Sequence, residues 1–309
     1  MSEDYPRTLM DVEKRFGDDE ACRCYLFALR WPEGFVCPRC GSRLAWTMSR
    51  GLCLCRGCRR QVSVTSGTIF QDRKLPLTVW FRAMWYVTSQ KNGASALGLQ
   101  RVLGIGSYKT AWALLHKLRR AMVRPGRDRL TGRVEVDETY WGIDDEPGVG
   151  RQTFDKALIA IAAQEDGRGI GRIRLRRIAD CTKRSLHEFI ADAVEPGSTV
   201  ITDGLNAYQG MQGYVHQPIV VKGQSADASA LLPRVHRTAS LLKRWLLGTH
   251  QGGVGHEYLE YYLDEFTFRF NRRKSASRGK LFYRLAQQAV QARPVPFASL
   301  APPRPVGSG

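Results

Sequence analysis

The chain has 309 residues, enough to bury a full core and to hold two or three domains. Its hydrophobic fraction of 43% is ordinary for a globular protein, no apolar run reaches the length of a membrane span, and the acidic start Met1-Ser2-Glu3-Asp4-Tyr5 does not read as a secretory signal. A formal net charge of +18 and a pI near 9.9 make a polyanion the expected partner, whereas an anionic membrane would call for a basic amphipathic helix at a terminus.

The first 30 residues carry Phe16, Cys22, Tyr25, Leu26 and Leu29 at helical spacing. Of the eight cysteines, seven lie before residue 60 and Cys181 stands alone. That clustering, without a signal peptide, points to a reduced compartment and a metal site rather than to disulfides. Cys22 and Cys24 have the wrong spacing for a metal knuckle, and Cys22 reads as a small buried side chain.

Cys37-Pro38-Arg39-Cys40-Gly41 is one zinc knuckle and Cys55-Arg56-Gly57-Cys58 a second. A hairpin-like stretch with Leu44, Trp46 and Leu52 separates them. Cys37, Cys40, Cys55 and Cys58 thus offer four thiolates for a closed tetrahedral Zn²⁺ site. Four sulfurs leave no position for water, so the zinc is structural. Cys53 is a rival to Cys55, at a poorer spacing. The arginines Arg39, Arg43, Arg50, Arg56, Arg59 and Arg60 suggest phosphate or partner contact, with plain solubilising charge as the alternative.

From Leu75 the pattern turns helical, with Leu77, Trp80, Phe81, Met84, Trp85 and Val87 as a core stripe and Pro76 near its start. A short helix, a Gly-containing turn and a second helix follow between residues 91 and 122, with Ser107 as the expected N-cap. The second helix runs through Leu114, Leu115, Leu118 and Met122. Its exposed face is expected to carry Tyr108, Lys109, His116, Lys117, Arg119 and Arg120. This is a helix-turn-helix pattern, with Tyr108, Lys109, Lys117, Arg119 and Arg120 as candidate DNA contacts. The same pattern also arises in purely structural helical bundles.

Arg124-Pro125-Gly126-Arg127 breaks the helix. Then comes Val134-Glu135-Val136-Asp137-Glu138-Thr139-Tyr140-Trp141-Gly142, where valines alternate with acids. Period two puts Glu135 and Asp137 on one face and Val134 and Val136 on the other. An acid on a buried strand needs a cationic neighbour, and a metal ion is one candidate. A solvated face of an edge strand is the other reading. After an acidic loop over Gly142 to Gly150, strands are expected at Ala157–Ala163 and Arg172–Ile178, a helix at Ser185–Val194, and a strand at Ser198–Thr202 leading into Asp203-Gly204. A short strand at Ile219–Val221 and a basic helix at Val235–Leu247 complete this part.

Strand, strand, strand, helix, strand, helix, strand, helix is the order of a ribonuclease-H-like domain. Its first and fourth strands are neighbours, which would bring Asp137 and Asp203 together. Converging carboxylates need a divalent cation, and hard oxygen ligands favour Mg²⁺ or Mn²⁺. The expected fold is therefore α/β, a ribonuclease-H-like mixed sheet with flanking helices. A small zinc ribbon and a helical helix-turn-helix region precede it. The expected boundaries are 1–70 for the N-terminal helix and ribbon, 71–126 for the helix-turn-helix, 127–275 for the catalytic domain and 276–309 for a C-terminal helix and disordered tail.

This combination resembles the ISXO-like insertion-sequence transposases with an N-terminal zinc ribbon. The resemblance rests on both knuckles, on Arg59 to Thr68 and on the helix-turn-helix. It rests also on Val136-Asp137-Glu138-Thr139-Tyr140, on Thr202-Asp203-Gly204, on Leu242 to His250 and on Tyr262 to Arg273. It implies two aspartates and a third metal ligand, with a lysine seven residues further along the same helix. Seven back from Lys243 stands His236, not an acid. Seven residues is two turns, so His236 and Lys243 share a face. Neutral imidazole suits Mn²⁺ better than Mg²⁺ and brings no negative charge. A phosphate-binding or supporting hydrogen-bond role for His236 is the alternative, Glu265 is a rival third acid, and Glu135 and Glu138 are candidate acids just outside the metal's ligand set. The implied catalytic set is Asp137, Asp203, His236 and Lys243. The implied activity is metal-dependent cleavage at terminal inverted repeats and strand transfer into double-stranded target DNA, by an oligomer that is at least a dimer. The expected location is the bacterial cytoplasm, at the nucleoid. A non-catalytic DNA-binding regulator, or decayed transposase, and a nuclease without strand transfer are the competing readings.

Overall fold

A computed structural model describes residues 3–124, 126–142, 156–219 and 231–300. The acidic loop beyond Gly142 and the tail from Pro302 therefore lie outside the described residues. The chain divides into two compact units, residues 1–125 with 274–309, and residues 126–273.

In the first unit, the expected N-terminal helix is two, α1 (Leu9–Arg15) and α2 (Asp19–Arg30). Thr8 and Asp18 cap them by accepting the N–H of Asp11 and of Ala21, respectively. The ribbon follows as an antiparallel sheet of β1 (Ala45–Thr47), β2 (Leu52–Cys55) and β3 (Gln61–Ser63), in that order. Then come α3 (Leu77–Ser89), α4 (Ala96–Leu103) and α5 (Tyr108–Ala121). Gly104 ends α4 in the left-handed conformation, which turns the chain into α5. The late helix α9 (Arg278–Ala289) packs here too, with Phe282 against Phe16, Tyr25, Phe81 and Trp85. The C-terminal helix is thus part of the core of this unit. A short α10 (Phe297–Leu300) follows it.

The second unit holds β4 (Arg133–Trp141), β5 (Ala157–Asp166), β6 (Gly169–Ile178), β7 (Thr199–Thr202) and β8 (Val215–Pro218). The sheet order is β6-β5-β4-β7-β8. The first three strands run antiparallel to one another; β7 runs parallel to β4, and β8 parallel to β7. This is the mixed ribonuclease-H-like sheet expected from the sequence. The last strand lies earlier than the expected Ile219–Val221; Ile219 follows it, and 220–221 lie outside the described residues.

Period two sorts the side chains of β4. Val134 and Val136 pack with Leu186, Phe189 and Ile190 of α6 (Lys183–Ala193). Trp141 and the alternate residues Ile159 and Ile161 of β5 pack on the other face, against α7 (Pro233–His250) and α8 (Leu259–Phe270). In α7 the stripe Val235, Leu242 and Leu246 faces that core. His236 and Lys243 each follow a stripe residue by one position, so they lie on its flank.

Candidate active site

The register of the sheet builds the centre. Glu135 of β4 pairs in parallel with Ile201 of β7. Two residues further along each strand stand Asp137 and Asp203, so the two acids arrive at the same end of adjacent strands. Asp203 is exposed just past β7, and its Oδ1 accepts the N–H of Leu205 at 3.0 Å. Asp137 is half-buried, with Oδ1 accepting the N–H of Glu138 at 2.8 Å. From α7, His236 Nε2 comes within 3.8 Å of Asp137 Oδ2. Among the described residues, Asp137, Asp203 and His236 are not drawn into one 4.8 Å group as the four ribbon cysteines are.

Burial pushes the Asp137 carboxyl up to about 6; the N–H of Glu138 and the imidazole of His236 oppose that, while Glu138 and Asp203 reinforce it. A carboxylate that is costly to charge alone is one that a cation would satisfy. Two carboxylates and an imidazole suit a divalent ion, and Mn²⁺ accepts that mixed set more readily than Mg²⁺. Lys243 lies two turns along α7 from His236, roughly 10 Å by helical rise. It is half-buried, and burial and the nearby Lys156 hold its ammonium below the ordinary range.

Two side chains that the sequence did not single out hold this centre. Arg234 joins the start of α7 to the sheet. Its guanidinium donates to Glu135 Oε1 at 2.7 Å and to Glu165 Oε1 at 2.8 Å. Glu135 Oε2 accepts the backbone N–H of Arg234 at 2.7 Å and of Val235 at 3.0 Å. Glu135 is therefore neither a solvated edge acid nor a partner of Asp137; it is a buried anchor for the residue before His236. The other is Tyr208, fully buried in the turn after Asp203, which donates to Glu138 Oε2 at 2.5 Å. Burial and the surrounding carboxylates raise its phenol well above the ordinary range. This bond ties the Asp203 loop to the strand of Asp137. Its position five residues after Asp203 was the only sequence signal. The rival acid Glu265 is fully buried in α8, 4.0 Å from Arg269.

The ribbon brings the Sγ atoms of Cys37, Cys40, Cys55 and Cys58 within 4.8 Å of one another. Cys37 lies 3.6 Å from Cys58, and Cys40 3.5 Å from Cys55. Zinc–sulfur bonds of about 2.3 Å would set sulfurs roughly 3.8 Å apart, so the four fit a tetrahedral Zn²⁺. Gly41 follows the first knuckle with φ 74°, and Arg59 the second with φ 58°. The N–H of Cys58 points at Cys55 and helps hold its thiol down to about 6. Cys53 is buried on β2, opposite Thr47 and Val62, and is not in the group.

In α5, Tyr108, Lys109 and Arg120 are exposed and Lys117 is half-buried. Arg119 and His116 require correction. Arg119 is 1% exposed and donates to the carbonyl of Ala94 at 3.5 Å, so its guanidinium cannot meet DNA. His116 is fully buried, stacked on Trp112 with ring centroids 3.8 Å apart. Ser107 occupies the N-cap position of α5, but its side chain accepts no capping bond.

Residues 129–271 match the model of the ISXO2-like transposase domain, and residues 17–61 match the transposase zinc-ribbon domain. A Halobacterium salinarum protein described as an uncharacterized protein in transposable element ISH50 is 27% identical over 277 residues, which cover 83% of this chain and 92% of that one. Among solved structures, a chain of the simian T-cell lymphotropic virus intasome in complex with PP2A regulatory subunit B56 gamma aligns at 14% identity over 74% of this chain and 78% of its own, with a TM-score of 0.33, too loose to bear on the fold. Among the described residues, no helix is long and apolar enough to cross a membrane.

Proposed function

We propose that this chain, an insertion-sequence transposase with an ISXO2-like domain behind a transposase zinc ribbon, cuts DNA at the terminal inverted repeats of its element and joins the ends to target DNA. The observation that carries this reading is the approach of His236 Nε2 to Asp137 Oδ2 at 3.8 Å, with Asp203 at the matching position of the adjacent strand.

Asp137, Asp203 and His236 would hold the catalytic ion, Mn²⁺ or Mg²⁺. When bound, such an ion makes a water or a DNA 3′-hydroxyl a better nucleophile and offsets charge on the phosphodiester during in-line attack. The residues of the chain do the rest. Glu135 and Arg234 orient the helix turn bearing His236, and Tyr208 holds Glu138 and with it the Asp203 loop. Lys243 offers a point charge to a phosphate. No covalent protein–DNA link is needed, so one centre serves both hydrolysis and joining. The ribbon and the α4–α5 pair, through Tyr108, Lys109, Lys117 and Arg120, would bind the terminal repeats, where sequence is read. Two ends must be held at once, so the working form is at least a dimer.

The test is cleavage and joining of terminal-repeat DNA with Mg²⁺ or Mn²⁺, comparing wild type with Asp137→Asn. Cutting and joining by wild type alone is the expected result. Identical behaviour of both proteins, each binding DNA, would replace this reading by that of a non-catalytic regulator. Ends cut but never joined would make it a nuclease.

A further inference from the structure

Beside His236 opens a groove of about 890 Å³ within the second unit. The turn between β5 and β6 forms one wall and the first turns of α7 the other, and Phe270 and Arg273 of the α8 end close it. Four arginines line it: Arg168, Arg234, Arg237 and Arg273. They are not equivalent. Arg234 is spent on Glu135 and Glu165, and it also donates to the carbonyls of Gly167 and Gly169 at 2.8 and 3.1 Å. It thereby fastens the β5–β6 turn to α7 and builds the groove. Arg273 is pinned to the wall, over the Phe270 ring at 4.0 Å and bonded to the carbonyls of Gly171 and Ile170.

Arg168 and Arg237 are different. Both are exposed, and among the described residues neither has an acidic partner. The carboxylates of this region are engaged elsewhere: Glu135 with Arg234, and Glu165 with Arg234 and Arg133, while Asp166 acts on Arg273. The start of a helix carries partial positive charge and favours acids; at α7 that acid is Glu135, which accepts the N–H groups of Arg234 and Val235 and is taken up by Arg234, so it leaves Arg237 unanswered. Two exposed guanidinium groups lining one groove, without an acidic partner among the described residues, suit an external anion. The missing charge is negative, and the groove that holds both arginines opens beside His236, the neighbour of Asp137.

We infer that this groove binds the phosphate backbone of a DNA strand running into the Asp137–His236 centre, with Arg168 and Arg237 as its two phosphate contacts. This rests on the transposase reading and adds to it the surface that delivers the strand. Guanidinium groups match phosphate oxygens in a fork, which a lysine cannot reproduce. The strand belongs either to the element's end or to the target, and the chemistry of the two is the same.

The full chain, without added divalent ions, is titrated with a duplex carrying the element's end and with an unrelated duplex of equal length, over a salt series. Arg168→Ala/Arg237→Ala should weaken binding by roughly tenfold per lost contact at 0.1 M salt, and flatten the log–log salt slope by about 1.8. Arg168→Lys/Arg237→Lys should keep the slope, which separates lost charge from lost fold. Loss on both duplexes supports the shared groove, loss on the first alone assigns it to the element's end, and loss on the second alone to the target. Wild-type affinity and slope for the Ala variant on both duplexes would overturn the inference. If wild type binds through the groove but cuts nothing with Mn²⁺, the transposase chemistry fails and the groove stands.

Discussion

Glu135 and Arg234, 99 positions apart in the chain, meet at 2.7 Å with Glu135 only 3% exposed. The same carboxylate receives two backbone N–H groups at the start of α7, so one acid fixes both the helix and the residue before His236. Arg234 would keep Glu165 at 2.8 Å, so losing Glu135 leaves it partly paired but strips two backbone N–H groups of their acceptor, a cost toward the lower end of the about 3–5 kcal/mol that breaking a buried ion pair brings. Glu135→Ala should therefore lower the urea midpoint strongly and depress metal-dependent cleavage. Glu135→Gln keeps an acceptor for the N–H groups and should recover part of the stability. Unfolding curves of both variants that overlay on wild type would show that the pair holds nothing in place.

Much of this centre was legible because it obeys simple periods. Alternation located the face of Asp137, and strand order placed Asp203 beside it; the two-turn spacing put His236 and Lys243 on one flank of α7. Glu135 could be read from the sequence as an acid beside the centre; its partner could not. Its partner lies across the fold, and no local pattern announces a contact between a strand and a distant helix start. Arg119 failed in the opposite way. On the helical wheel it belongs to the basic face of α5, but the turn before α4 brings the Ala94 carbonyl over it and closes it from solvent. Charge alone could not distinguish it from Arg120.

Those two neighbours give the second prediction. Arg120→Ala should leave thermal stability unchanged and reduce the log–log salt slope of DNA binding by about 0.9, the signature of one phosphate contact. Arg119→Ala should instead cost about 1–3 kcal/mol by stripping a buried carbonyl of its donor. Its affinity per folded molecule should stay near wild type. Equal effects of the two on DNA affinity, at equal stability, would restore Arg119 to the DNA-facing surface.

Zinc content tests the ribbon. Cys55→Ser removes one of four sulfurs from a group already shaped for the ion, and should lose bound zinc and unfold the ribbon, since structural zinc contributes folding energy directly. Cys53→Ser alters a buried thiol outside that group, and should retain one zinc per chain with a modest loss of stability. Elemental analysis after dialysis decides it; zinc lost from the Cys53 variant and kept by the Cys55 variant would reverse the assignment.

The Asp137 carboxyl titrates at about 6 rather than 3.8, chiefly through burial. A raised acid contributes stability that is full below its ordinary value and is lost as pH rises through its folded value. In buffer lacking added Mn²⁺ or Mg²⁺, wild type should therefore weaken between about pH 4 and 6, by at most about 3 kcal/mol. Asp137→Asn has no such charge, and should be the more stable protein above pH 6 while inactive. Added Mn²⁺ should stabilise wild type and not the variant. Parallel pH profiles for the two proteins would remove burial of this acid as a source of strain.

The last prediction concerns the imidazole. His236 is partly exposed and stands 3.8 Å from Asp137, so a side chain of similar reach can take its place without repacking the core. Glu at that position supplies a third hard oxygen and a negative charge, both of which Mg²⁺ prefers to a neutral nitrogen. His236→Glu should therefore shift the ratio of Mg²⁺-supported to Mn²⁺-supported cleavage toward Mg²⁺ by about tenfold, the factor that ligand-shell changes commonly bring. His236→Ala should lose activity with both ions. If the imidazole instead only touches a phosphate, the two variants will bind DNA more weakly and leave the metal ratio where it was. A ratio unchanged in His236→Glu, with cleavage retained, would remove His236 from the metal site and leave Asp137 and Asp203 to hold the ion.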